Sequence, residues 1–103
     1  MRDSFEKTLN EVIDSTLKEI FSESATSIIY YYLEMNCKLK AEDIAKNIDT
    51  FREGLEQFLS SGALAIEGII TKRLYRHYKL KFENKEGYVF TDYVKDLRRR
   101  VKT

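Results

Sequence analysis

Residues 61–78, Ser-Gly-Ala-Leu-Ala-Ile-Glu-Gly-Ile-Ile-Thr-Lys-Arg-Leu-Tyr-Arg-His-Tyr, constrain the fold more than any other stretch of the chain. Ile66, Ile69, Ile70, Leu74 and Tyr78 recur at helical spacing, and no strict period of two runs through them. The opposite face turns basic at Lys72, Arg73 and Arg76. A helix of this kind buries one side in a core and offers charge on the other. Its surroundings must therefore supply apolar stripes of their own.

They do. Phe5, Leu9, Val12, Ile13, Leu17, Ile20 and Phe21 step by threes and fours with charges between, which predicts an amphipathic helix over 4–21, capped by Asp3 or Ser4. That stripe can pack on other helices or seam two copies into a homodimer. Ser22 and Ser24 favour cap positions and mark a junction. A second helix is expected over 25–36, with Ala25, Ile28, Ile29, Tyr32, Leu33 and Asn36 on one face. The β-branched and aromatic run 28–33 has strand character, but the pattern extends past eight residues without a breaker, which decides for helix. The three rings Tyr30-Tyr31-Tyr32 spread over about 200° of helix surface, so one must face outward, and Tyr31 is the candidate.

After a connection at 37–40, a two-turn helix is expected over 41–47 with Ile44 inward. A helix over 50–60 follows, capped by Asn47 or Asp49, with Phe51, Leu55, Phe58 and Leu59 inward and Gly62 closing it in the left-handed conformation. Residues 79–90 fit either a short β-hairpin turning at Asn84-Lys85-Glu86-Gly87 or an extended loop. Thr91 is expected to cap a last helix over 92–102, with Phe90, Tyr93, Val94, Leu97 and Val101 inward. Lys95, Arg98, Arg99, Arg100 and Lys102 decorate its end, where cations suit the helix dipole. The expected fold is all-α, with five or six helices and a helix-turn-helix-like centre in one domain over 1–103: an N-terminal helix to residue 21 and a core over 22–103.

At 103 residues, about two thirds of the unfolded surface can be buried, enough for a core without disulfide or metal. No apolar run approaches the roughly 20 residues that span a bilayer, and acids occupy the start where a signal peptide is apolar, so a cytoplasmic location is expected. The single cysteine, Cys37, allows no intrachain disulfide and reads as a small packed residue. The net charge of +1 conceals an asymmetry, with 7 basic and 12 acidic residues up to Gly62 and 11 basic and 5 acidic beyond it. Such a split can steer a partner or bind the two halves to each other.

The chemical inventory points away from an enzyme. There is no phosphate-binding glycine loop, and the lone His77 excludes a multi-histidine metal site within one chain. Glu67, amid apolar neighbours, is read as a buried carboxylate paired with an arginine; Glu42-Asp43 are explained by a helix start. No catalytic, cofactor-binding or metal-binding residue is assigned. The candidate surface for a partner or for phosphate is Lys72, Arg73, Arg76, Lys79, Lys95, Arg98, Arg99 and Arg100, with Tyr31 as a candidate exposed aromatic.

Two function classes remain. The order of elements from 25 to 90 follows a winged helix-turn-helix, with Ala-Glu-Asp-Ile-Ala-Lys-Asn at the place of its first helix. The would-be recognition helix, however, turns Arg52, Glu53, Glu56 and Gln57 outward, a poor match to phosphate. Nucleic acid would then be met through basic residues in 72–81 and 95–102. The other class is a regulatory module acting on a protein partner. Several phrases bear on it: Tyr-Tyr-Tyr-Leu-Glu, Ala-Glu-Asp-Ile followed by Phe51 and Leu55, and Gly62-Ala63 with Ile66-Glu67 and Leu74-Tyr75. Lys-Phe-Glu-Asn-Lys-Glu-Gly at 81–87 and Thr-Asp-Tyr-Val at 91–94 complete the set. Together the stretch 24–99 resembles the Nitrosopumilus-type output domain, the fifth of that series, a small archaeal domain attached to signalling proteins or standing alone. It departs at Ser60-Ser61, where the family pattern has a bulkier apolar residue. The resemblance implies an archaeal source and a signalling or regulatory role, and it carries over no ligand or functional residue; the expected function is a non-enzymatic regulatory module acting through protein–protein contact.

Overall fold

The computed structural model describes residues 4–101. It is all-α: α1 (Ser4–Cys37), a 3-10 segment (Ala41–Lys46), α2 (Ile48–Leu59), α3 (Gly62–His77) and α4 (Phe90–Val101). The expected caps and charges at Asp3 and Lys102 lie outside the described residues.

The two predicted N-terminal helices are the arms of α1, divided at Ser22, whose backbone (φ 84°, ψ 166°) leaves the helical region. Ser22 acts as the cap of the second arm, its hydroxyl accepting from the Ala25 N–H three residues on. The buried Thr26 hydroxyl donates to the Ser22 carbonyl at 2.7 Å, and Tyr30 ties the arms together by donating to Asp14 at 2.7 Å. In the first arm Phe5, Leu9, Ile13 and Leu17 are buried at steps of four. Val12 and Phe21 of the same stripe are partly buried, and Ile20 is 40% exposed. In the second arm the buried set is Thr26, Ile29 and Leu33. The inward face is thus rotated from the expected one, leaving Ile28 59% exposed and Asn36 outside.

Within the span 41–47, Ala41–Lys46 winds as a 3-10 turn held from two sides. Asn10 of α1 accepts from the Ala45 N–H (2.9 Å) and donates to the Glu42 carbonyl (3.2 Å), while Arg98 of α4 donates to the Ala45 carbonyl (3.1 Å). Only Asn47 separates this turn from α2, and it makes no side-chain cap. Phe58, expected inward, is 39% exposed and lies against the Tyr32 ring at 4.9 Å. The positive-φ residue that closes α2 is Ser60 (φ 54°, ψ −133°), outside the left-handed helical region expected at Gly62, and Gly62 instead opens α3.

α3 contacts α1, α2 and α4 and buries Ala63, Ile66, Glu67, Ile70, Thr71, Leu74 and Tyr75. Its exit at Lys79 (φ 58°) returns the Leu80 N–H to the Tyr75 carbonyl at 2.9 Å. Residues 78–89 then form a loop, and among the described residues there is no strand. The backbone of Lys85 is taken by a side chain rather than a second strand: its N–H donates to the Tyr93 hydroxyl at 2.8 Å. Tyr75, Phe82, Tyr93 and Tyr88 meet ring to ring at 5.1–5.4 Å and pin the loop onto α3 and α4. α4 begins at Phe90, with Asp92 accepting from the Val89 N–H (2.9 Å) as the second half of a capping box. Thr91, the expected cap, is buried in the first turn.

Two glycines test this packing in opposite directions. A Cβ at Gly54 would lie 2.5 Å from Leu33 Cδ2 and 2.9 Å from Cys37 Sγ, whereas one at Gly68 meets nothing within 4 Å. Gly54→Ala is expected to cost roughly 1–3 kcal/mol by forcing α1 and α2 apart. Gly68→Ala should gain about 0.5–1 kcal/mol from helix propensity. Urea denaturation of both variants checks the pair, and equal signs would contradict the close approach at Gly54.

Candidate interaction surface

The eight basic candidates divide into two groups. Arg73 turns inward to Glu19 of α1 and donates to the Thr16 hydroxyl at 3.4 Å. Arg98 pairs with Glu6 (3.3 Å) and lies over the Phe5 ring (5.2 Å) as well as holding Ala45. Arg99 and Arg100 bond the carboxylate of Asp96 at 2.8 and 3.3 Å. Lys85 reaches the same carboxylate at 3.6 Å, and the Tyr75 hydroxyl donates to it at 3.3 Å. Asp96 thereby joins the loop, α3 and α4 at one nearly buried anion. Sequence reasoning missed both Asp96 and Asn10, because neither stands on an apolar stripe or in a motif.

Lys72, Arg76, Lys79 and Lys95 are exposed and have no ion pair among the described residues. Lys95 borders a hollow with residues 45–50, away from the others. Lys72, Arg76 and Lys79 come together with Lys81 around an open concavity floored by Tyr75, Leu80 and Phe82. Lys81 approaches Glu83 only at 4.0 Å, both side chains being mostly in solvent, where such a pair contributes little.

Beside this concavity, and sharing Lys72 and Phe82 with it, lies a pocket of about 290 Å³. One wall is α3 (Leu64, Glu67, Gly68, Thr71) and the other is the segment from Phe82 to Tyr93. Leu64, Tyr88 and Val89 expose apolar surface at its rim. A separate apolar stripe runs along the second arm of α1, where Ile28, Tyr31 and Met35 are 59%, 66% and 61% exposed. Tyr31 is the outward ring of its trio, as expected.

Glu67 is only 4% exposed, and its Oε2 has no hydrogen-bond partner. Burial pushes its carboxyl up to about 7, and Glu56 adds to the rise, while Arg52 opposes it. Arg52 gives its closest contact to Glu56 (3.2 Å), so in place of the expected Glu67–Arg pair stands a carboxyl that keeps its proton up to about pH 7. Burial likewise raises the Tyr75 phenol, with Asp96 as the next cause. Cys37 is half-buried against Gly54, and His77 is exposed with its ring 4.9 Å from that of Tyr78. Glu42 and Asp43 are exposed in the first turn of the 3-10 segment. Among the described residues no group of three His, Cys, Asp or Glu is placed to hold a metal ion, and no helix is long and apolar enough to cross a membrane.

The outward face of α2, at Asp49, Glu53 and Gln57, is acidic to neutral, with Arg52 engaged by Glu56. A helix, α3, occupies the place of a first wing strand. No family model, curated protein or solved structure matches the chain.

Between pH 4.5 and about 7 folded Glu67 keeps a proton that the unfolded chain has released. Stability therefore falls as pH rises through that window and levels off above it, by up to about 3 kcal/mol. Glu67→Gln, neutral throughout, is expected to raise the melting temperature at pH 8 and to change it little at pH 5. An equal shift at both pH values would contradict the burial of the charge. Asp96→Ala removes the anchor of Lys85 and the Tyr75 hydroxyl, and hydrogen exchange at the 80–88 amides should then accelerate ahead of the α1 amides. Uniform protection across both regions would show that the aromatic contacts alone hold the loop.

Proposed function

We propose that this chain is a small non-enzymatic regulatory module that acts by binding a protein partner, through the face made by α3 and the loop 78–89. The observation that carries this reading is the juxtaposition of unpaired cations with exposed apolar side chains on that face. Lys72 borders both the pocket rimmed by Leu64, Tyr88 and Val89 and the adjoining concavity lined by Arg76 and Lys79. Apolar surface of this kind is what a protein partner covers and what a phosphate backbone leaves exposed to water. The reading of residues 24–99 as resembling an archaeal output domain places the module, as a proposal, in signalling.

Nucleic-acid binding is the second reading, favoured by the clustering of Lys72, Arg76, Lys79 and Lys81 at one concavity. The acidic outward face of α2 argues against sequence-specific groove reading. Polarisation titrations with a short generic duplex, from about 50 to about 200 mM salt, separate the two. The expected outcome is no submicromolar binding at the upper salt. Tight binding with a steep salt slope would replace the first reading by the second. In pull-downs from native lysate, the triple reversal Lys72→Glu, Arg76→Glu, Lys79→Glu should lose a partner that wild type retains. If every partner stays bound, the face is misassigned.

A further inference from the structure

Gly68 has no packing reason to be glycine. It lies in the interior of α3, where glycine costs about 0.5–1 kcal/mol relative to alanine, and its absent Cβ would meet no atom within 4 Å. Gly54, by contrast, is required by the approach of Leu33 and Cys37. What the missing side chain at Gly68 does leave is open space, because it lines the pocket between α3 and the segment 82–93. At about 290 Å³ that pocket lies just below the range typical of small-molecule sites, and has room for one large side chain. Its walls are mainly apolar and aromatic, and Lys72 stands at the margin it shares with the cationic concavity.

Resting on the protein-binding reading, we infer that this pocket receives a single large apolar side chain from an acidic segment of the partner. Carboxylates flanking that anchor pair with Lys72, Arg76, Lys79 and Lys81. The division of labour follows from the geometry. Positions 64, 68, 71 and 75 of α3 face the loop, and 72 and 76 lie on the adjoining strip, so an extended segment leaving the pocket past Lys72 meets Arg76 and then Lys79. Arg76, Lys79 and Lys72, the last over the Phe82 ring at 6.0 Å, have no ion pair among the described residues, and Lys81 has only a solvent-exposed contact to Glu83, whereas Arg73, Arg98, Arg99 and Arg100 are engaged by Glu19, Glu6 and Asp96. Charge complementarity supplies attraction and orientation, and the desolvated apolar anchor supplies most of the affinity.

Selection of a display library of random short peptides on the full chain tests this directly. Enriched peptides are expected to carry net negative charge and at least one large apolar residue. Gly68→Leu, which fills the pocket from an open position, should weaken the best peptide by ~10-fold or more. Its melting temperature should stand at or above that of wild type, because leucine is the better helix former. Replacing the peptide's apolar residue by alanine should have the same effect on wild type and little further effect on Gly68→Leu. The exposed pair Arg76→Glu, Lys79→Glu, outside the pocket lining, tests the charge arm without touching the pocket: its ~10-fold loss should shrink as salt rises. Enrichment of basic or neutral peptides, no enrichment, or peptides indifferent to both variants would overturn the pocket assignment, while a lysate partner lost on the triple charge reversal but kept by Gly68→Leu would still support protein binding. Oligothymidine binding more tightly than any selected peptide, and lost in Gly68→Leu, would overturn both.

Discussion

The structure depends on α3 being covered on several sides at once. A helix that touches α1, α2 and α4 cannot manage with one apolar stripe, and seven of its sixteen residues are buried, from Ala63 to Tyr75. One of the seven is Glu67, whose carboxyl sits where the stripe continues. Burial without a full hydrogen-bond complement disfavours its charge, so its proton is lost only near pH 7. The same coverage leaves α3 only a narrow outward strip, through Ala65, Ile69, Lys72 and Arg76. Cations four residues apart on that strip are neighbours, and the turn at Lys79 adds a third. The charged cluster is thus a geometric consequence of the burial opposite it.

The loop 78–89 is a second case in which a few side chains replace regular structure. A hairpin would satisfy its backbone with a ladder, but here the Tyr93 hydroxyl serves Lys85, and Asp96 serves the Lys85 ammonium and the Tyr75 phenol. The aromatic series Tyr75–Phe82–Tyr93–Tyr88 supplies the apolar contact that a two-stranded ribbon lacks. Because these groups come from α3 and α4, the loop is held as one wall of the pocket and not as a free excursion.

Legibility in the sequence followed the range of the interactions involved. Helix existence and the main inward residues, Leu9, Ile13, Leu33, Phe51, Ile70, Leu74 and Leu97, were readable because periodicity is local. The break at Ser22 was readable from the serines that compete for backbone. The rotation that exposes Ile28 was not, since it is a matter of tertiary packing, in which Leu33 and Cys37 of that arm turn to Gly54 of α2. Ser60 was passed over for Gly62 because glycine is the usual left-handed closer, and nothing local distinguishes the two. The winding of Ala41–Lys46 as a 3-10 turn depends on Asn10 and Arg98, more than thirty residues away in either direction. For the candidate surface, the sequence named the cations but not their partners, so it grouped Arg73 and Arg98 with Lys72 and Arg76.

The partners decide what the charge asymmetry is for. Arg73–Glu19 and Arg98–Glu6 each link the basic half of the chain to the acidic half, which is the internal use of the split. Asp96 takes up three further cations within the basic half itself. If self-attraction were the whole purpose, the remaining cations would also lie within reach of acids. Lys72, Arg76 and Lys79 instead gather on the strip that α3 turns away from α1, next to the opening left by Gly68. Like charges placed together repel, and the fold bears that cost at the same place where a helix-interior glycine costs propensity. Two local penalties that share one margin are most simply offset by one occupant, an acidic segment with an apolar anchor.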